Sequence, residues 1–198
     1  MKRSLCVAAL GFCLVPFAWP GEIVLFDNIQ HGIGGGSWEI SERQNIGIPF
    51  HSTVNGTLSE VRLVLYPELN AGPIFYRVAI TDALNGVPGP NTLYEWSSVQ
   101  GAMPNVLHFS RDVPVVPGGS YFVTVGLADQ SPLGLWIWSY SAGGPFAVRY
   151  WGTWYPAVGI HSAMTVKAIT EDSVPAVPGP AAAIPFALGL LARRRRRR

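Results

Sequence analysis

Residues 120–128 read SYFVTVGLA. Tyr121, Val123, Val125 and Leu127 fall on one side of a two-residue repeat, Thr124 and Gly126 on the other. That period belongs to a strand with one core face, because successive side chains of an extended chain point to opposite sides. Val116-Pro117-Gly118-Gly119 marks a sharp turn just before it. Upstream, residues 57–66 (TLSEVRLVLY) repeat the pattern, with Val61, Leu63 and Leu65 alternating against Glu60, Arg62 and Val64. Outward from these two anchors, candidate strands cover 22–29 (EIVLFDNI), 45–51 (NIGIPFH), 74–81 (IFYRVAIT) and 92–98 (TLYEWSS). Others cover 105–110 (NVLHFS), 135–140 (LWIWSY), 146–151 (FAVRYW) and 161–169 (HSAMTVKAI). Asn55-Gly56 and Asn85-Gly86 read as hairpin or loop turns, since both residue types tolerate positive φ. With 22 Gly and 17 Pro the chain cannot be mostly helical. The expected fold is all-β: a two-sheet sandwich of jelly-roll type over residues 21–171, with a closed barrel as the alternative. A membrane barrel is not expected, because it needs longer alternating strands and aromatic girdles.

The ends of the sequence differ from this body. Lys2 and Arg3 precede the apolar run Leu5 to Ala18 (LCVAALGFCLVPFA). A positive start followed by a short apolar stretch is what a secretory signal requires, so residues 1–18 are read as a signal peptide in helical form. Cys6 and Cys13 both lie inside it, so a mature chain would contain no cysteine nucleophile or thiolate metal site. At the other end, a Pro-rich spacer and motif over 172–180 leads into the apolar segment Ala181 to Ala192 (AAAIPFALGLLA). Six basic residues follow: Arg193, Arg194, Arg195, Arg196, Arg197 and Arg198. An arginine block resists translocation and stays cytoplasmic. The apolar segment, at 1.5 Å per residue, reaches about 20 Å against a core of about 30 Å, so it is a short anchor. The terminal groups hold eight of the fourteen basic residues, which leaves six against twelve acidic ones. A nucleic-acid groove is therefore not expected.

Pro178-Gly179-Pro180, the apolar segment and Arg193–Arg198 together resemble the PEP-CTERM sorting signal of Gram-negative bacteria, with Gly179 where that family usually has Glu. The resemblance implies processing by an exosortase-type membrane protease and transient anchoring in the inner membrane. Release or transfer to the cell surface or extracellular matrix would follow, often in cells that produce exopolysaccharide. The body resembles choice-of-anchor extracellular β-sandwich domains, through LFDNI (Leu25 to Ile29), LSEVRLVLY (Leu58 to Tyr66), Gly89-Pro90 to Leu93, and VVPGGSYFVTVGL (Val115 to Leu127). That resemblance implies an extracellular module and carries over no catalytic residue.

Signatures of chemistry are sparse. There is no G-x-S-x-G elbow and no H-E-x-x-H. His51 and His161 fall at expected strand ends, where a solvated imidazole is usual; His31 and His108 suggest no pair either. No cofactor and no metal site are called for. Asp27 and Asn28 could supply oxygens to a structural calcium, but no D-x-D-x-D-G loop accompanies them. The Gly-rich His31 to Ser37 lacks a following Lys-Ser/Thr, so it reads as a flexible surface loop. The aromatic segment is the most informative. Trp136, Trp138 and Tyr140 alternate and should share one strand face, and Trp151 and Trp154 follow soon after. Exposed, such rings would stack on sugars; the plainer reading is a buried core, since Trp and Tyr bury about 150–250 Å² each. Leu135 and Ile137 make the opposite face apolar too, so one face must be covered by a loop or left open. The expected function is that of a non-enzymatic, exported, surface- or matrix-associated protein with a structural or adhesive role, polysaccharide binding being one form of it. The alternative is an extracellular glycan hydrolase using a carboxylate pair drawn from Glu39, Glu42, Glu60, Glu68, Asp82, Glu95, Asp112 and Asp129. A scaffold whose aromatic surface binds another protein is a third reading.

Overall fold

The computed structural model describes residues 21–67, 73–128, 133–140 and 143–170; the expected signal peptide and sorting segment lie outside them. Thirteen strands are described, all paired antiparallel, in two sheets packed face to face. In chain order they are β1 (Glu22–Asp27), β2 (Ile33–Ile40), β3 (Gln44–His51), β4 (Gly56–Pro67), β5 (Phe75–Leu84), β6 (Val87–Gln100) and β7 (Ala102–His108). Then come β8 (Pro114–Val115), β9 (Ser120–Leu127), β10 (Gly134–Ser139), β11 (Gly144–Tyr150), β12 (Thr153–Gly159) and β13 (Met164–Thr170). One sheet runs β1-β13-β4-β10-β2, with β7 and β8 also paired to β4. The other runs β12-β11-β3-β9-β5-β6. The expected all-β sandwich is the observed architecture.

The two anchor strands behave as their alternation dictates. Val61, Leu63 and Leu65 of β4 are fully buried in the core, facing Val123 and Val125 of β9 in the same cluster. Burying each such aliphatic side chain is worth roughly 1.5–3 kcal/mol. Asn85 and Gly86, at φ 52° and 78°, form a two-residue turn between the paired Leu84 and Val87, as the dipeptide suggests. Asn55-Gly56 instead opens the crossing from β3 in one sheet to β4 in the other.

Three strands fall outside the sequence expectation. The two-residue β8 pairs with β4 ahead of the Val116–Gly119 turn. The edge strand β12 is interrupted in sequence by Pro156, a residue that sheets accept only at edges. The Gly-rich tract is not a loop: it supplies most of β2, paired to β10. Two of its glycines, Gly34 and Gly36, have positive φ and stand against aromatic side chains. A Cβ at Gly34 (φ 135°) would lie 2.9 Å from the Tyr140 hydroxyl, and one at Gly36 would collide with the Trp138 ring.

Polar groups pin this architecture at two buried points. Asn28, 3% exposed, donates through Nδ2 to the Ser162 carbonyl (2.9 Å) and accepts at Oδ1 from the Met164 amide (2.7 Å). Its own carbonyl accepts the Ser139 hydroxyl at 2.6 Å. Asp27 accepts from the Ile29 amide and the Thr165 hydroxyl. Both side chains therefore hold β13 in place. The second point is Tyr76 of β5, which crosses the core to the opposite sheet. Its hydroxyl donates to the Tyr66 carbonyl (2.7 Å) and accepts from the Leu135 amide (3.0 Å). On the outer surface, Glu60 pairs with Arg62 (2.6 Å) and Lys167 (3.3 Å), and the Arg62 hydrogen bond foremost holds its carboxyl below the usual range.

Burial pushes the Tyr76 phenol up to about 12, from 10 in an unfolded chain. Between those values the unfolded state binds fewer protons than the folded one, so stability falls as pH rises. Alkaline unfolding is expected to begin above pH 10, and Tyr76→Phe is expected to flatten that slope. The same substitution leaves the Leu135 amide and Tyr66 carbonyl without this partner and should lower stability near neutrality by about 1–3 kcal/mol. Urea titrations from pH 8 to 11.5 on both proteins measure each effect.

Candidate functional site

The structure divides the five sequence-selected aromatic residues among three places. Trp136 is 0% exposed and belongs to the core, where its Nε1 donates to the Ala163 carbonyl (3.2 Å). Its assignment as a sugar-contacting side chain is therefore corrected: β10 turns that side chain into the core. Trp138 and Tyr140 do not continue an exposed row. The β10–β2 register shifts between Ile137 and Ser139, so Ser139 faces inward and Trp138 is half-buried over Gly36. Tyr140 lies beyond the strand end, exposed, against Gly32 and Gly34. His161, expected at a solvated strand end, is buried; its Nε2 lies 2.8 Å from the Pro145 carbonyl, with Phe26 beside it.

Trp151 and Trp154 belong to the β11–β12 hairpin. Tyr150 pairs with Thr153, so Trp151 and Gly152 form a two-residue turn, at φ 51° and 89°. Such turns ordinarily take Asn-Gly, and a left-handed backbone at a residue with a Cβ costs about 1–2 kcal/mol. Trp151 is 73% exposed, with the Arg43 guanidinium stacked 4.4 Å above its ring and its amide donating to the Arg43 carbonyl.

Trp154 opens onto a groove of about 250 Å³ across the outer face of the six-stranded sheet. Its position follows from strand parity. Ile46 and Ile48 of β3, Val78 and Ile80 of β5, Val123 and Val125 of β9 and Phe146 and Val148 of β11 face the core. The alternate positions, Asn45, Arg77, Ala79, Thr81, Thr124, Gly126 and Arg149, therefore face outward, and all line the groove. Cross-strand register sets Trp154 opposite Arg149, and Arg149 opposite Asn45. Asn45 lies against Gly126, which pairs with Arg77. This row crosses four strand spacings, about 19 Å. Small residues (Gly126, Ala79) make the floor low.

One wall is a bulge of β6. Between the Ala83–Pro88 and Thr81–Thr92 pairs, β6 carries two more residues than β5, and the excess, Gly89–Asn91, is raised. Asp82 braces it, accepting from the Asn91 amide (3.2 Å) and the Asn91 side-chain amide (2.6 Å). Thr81, 7% exposed, lines the groove near this wall, and its hydroxyl has no hydrogen-bond partner among the described residues. Arg77 is compensated by Glu95 at 3.6 Å, an exposed pair worth little energetically. Glu95 is the carboxylate among the groove-lining residues. A second, more open depression of about 310 Å³ beside the β2–β3 turn is lined by Glu39, Ser41, Glu42, Arg43, Leu127 and Leu133.

Among the described residues no cluster of three or more His, Cys, Asp or Glu side chains is disposed to hold a metal, and no helix is long and apolar enough to cross a membrane. No protein-family model matches the chain, and no curated protein is significantly similar to it. Asn45, Arg77, Thr81, Thr124 and Arg149 were missed by the sequence reading. The available signal was their parity: each stands beside a core-facing Ile or Val of its own strand, or one residue from it.

Core and groove tryptophans should differ sharply in the cost of truncation. Trp136→Ala is expected to cost about 3–5 kcal/mol through lost burial and a residual cavity. Trp154→Ala, at a half-exposed edge position, is expected to cost less than about 1 kcal/mol. Urea midpoints of the two variants against the parent measure the difference.

Proposed function

We propose that this chain is an exported, non-enzymatic β-sandwich protein of jelly-roll type that binds extracellular polysaccharide in the groove on its six-stranded sheet. The observation that carries this reading is the row Trp154, Arg149, Asn45 over a floor of small residues. An aromatic ring offers a sugar an apolar face, while planar amide and guanidinium groups beside it satisfy hydroxyls, the usual composition of a binding cleft. The row from Trp154 to Arg77, about 19 Å across the sheet, offers an extended polymer contacts along its length. Frequent crossing of the chain between the two sheets, as from β3 to β4 to β5, supports the jelly-roll description.

In the same proposal the body reaches its place through the terminal segments. Residues 1–18 direct export. Pro178-Gly179-Pro180, the apolar segment and Arg193–Arg198 act as a PEP-CTERM-like sorting signal for an exosortase-type protease, with transient inner-membrane anchoring before surface or matrix delivery. The hydrolase alternative draws on the depression that Glu39 and Glu42 both line, since glycoside cleavage needs two carboxyl groups.

Intact-mass analysis of the protein from its exporting host tests delivery: both ends are expected to be removed, and deletion of Arg193–Arg198 is expected to leave the C-terminus intact. Binding is tested by affinity electrophoresis through dextran, xylan and polygalacturonate. Retardation by at least one polymer is expected, falling about tenfold in affinity with Trp154→Ala. Release of reducing ends from a retained polymer, abolished by Glu39→Gln or Glu42→Gln, would make the protein a hydrolase.

A further inference from the structure

Resting on the polysaccharide-binding reading, we propose that the groove selects carboxylated, uronate-type polymers, with Arg149 as the residue that holds the sugar carboxylate. The argument begins with the six basic residues of the body, five of which already have partners. Arg62 and Lys167 bind Glu60, Arg77 pairs with Glu95, Arg43 stacks on Trp151, and Arg111 donates to the Leu93 carbonyl. Arg149 alone among them has no carboxylate within ion-pair distance, no carbonyl acceptor and no stacked ring among the described residues. It is exposed at the centre of the Trp154–Arg149–Asn45 row.

This placement is specific in two ways. First, the described body carries an excess of acidic residues, so its long-range field does not gather anions. Selection for a negative group must then come from a local contact. A guanidinium supplies one, because its planar fork matches a carboxylate with two parallel hydrogen bonds. Second, the neighbours on either side suit the rest of the same sugar. Trp154 offers a face for the ring and Asn45 both donates to and accepts from hydroxyls. Across the floor stands Thr81, whose buried hydroxyl has no hydrogen-bond partner among the described residues. Arg77 cannot serve equally, since Glu95 already faces it and would repel a second carboxylate.

The discriminating probes are polygalacturonate and its fully methyl-esterified counterpart, which share a backbone and differ in charge. The parent protein is expected to bind the acid form about tenfold or more tightly than the ester. Arg149→Gln is expected to erase that preference and Arg149→Lys to keep part of it, because charge persists without the fork. Thermal midpoints should stay at the parental value, the residue being exposed. Equal binding of acid and ester, or a preference that survives Arg149→Gln, would overturn the carboxylate assignment. Retention of dextran or xylan without polygalacturonate would overturn it while leaving polysaccharide binding standing; retention of no polymer would overturn both.

Discussion

A strand has two faces, and a two-sheet sandwich can bury only one of them. Which side chains stand on the outer face of the six-stranded sheet follows from this constraint. Once Ile46, Val78, Val123 and Val148 are committed to the interior, Asn45, Arg77, Thr124 and Arg149 must stand on the outside. Core packing thus fixes the side chains of the groove without touching them. A one-residue slip in β3 or β11 would place arginine and asparagine among buried aliphatics, which is prohibitive, so the register of the groove face is enforced by the opposite face.

Polar contacts act on top of this where the apolar pattern is silent about position. Asn28 joins the end of β1 to the start of β13 and to Ser139, and thereby gathers residues far apart in sequence at one buried point. Tyr76 does the same between the sheets. Each of these amides and hydroxyls is satisfied by a backbone group, the arrangement that makes a buried polar side chain specific rather than merely costly.

The strands with clean alternation were legible in the sequence, and so was the Asn85-Gly86 turn. What could not be read has identifiable causes. Residues 135–140 are apolar on both faces, so periodicity could not decide whether Trp136 or its neighbours Leu135 and Ile137 point inward. The break in register after Ile137, set by the partner strand, is invisible in β10 itself. Pro156 and Gly159 masked β12, and the glycines masked β2. Of the aromatic residues singled out in the sequence, Trp154 is the one that lines the groove. The groove was beyond reach because it joins residues from β3, β5, β9, β11 and β12, and lateral order among strands is not written in any one of them.

The tract from Ile33 to Ser37 shows how composition misleads about importance. It looks like filler, yet the rings of Trp138 and Tyr140 lie where its side chains would otherwise be. What is encoded there is vacancy: a mould whose negative shape two aromatic residues complete. A tolerance map of this protein would accordingly show Gly36, and to a lesser degree Gly34, as sensitive positions, with alanine, elsewhere the mildest of replacements, among the harmful ones.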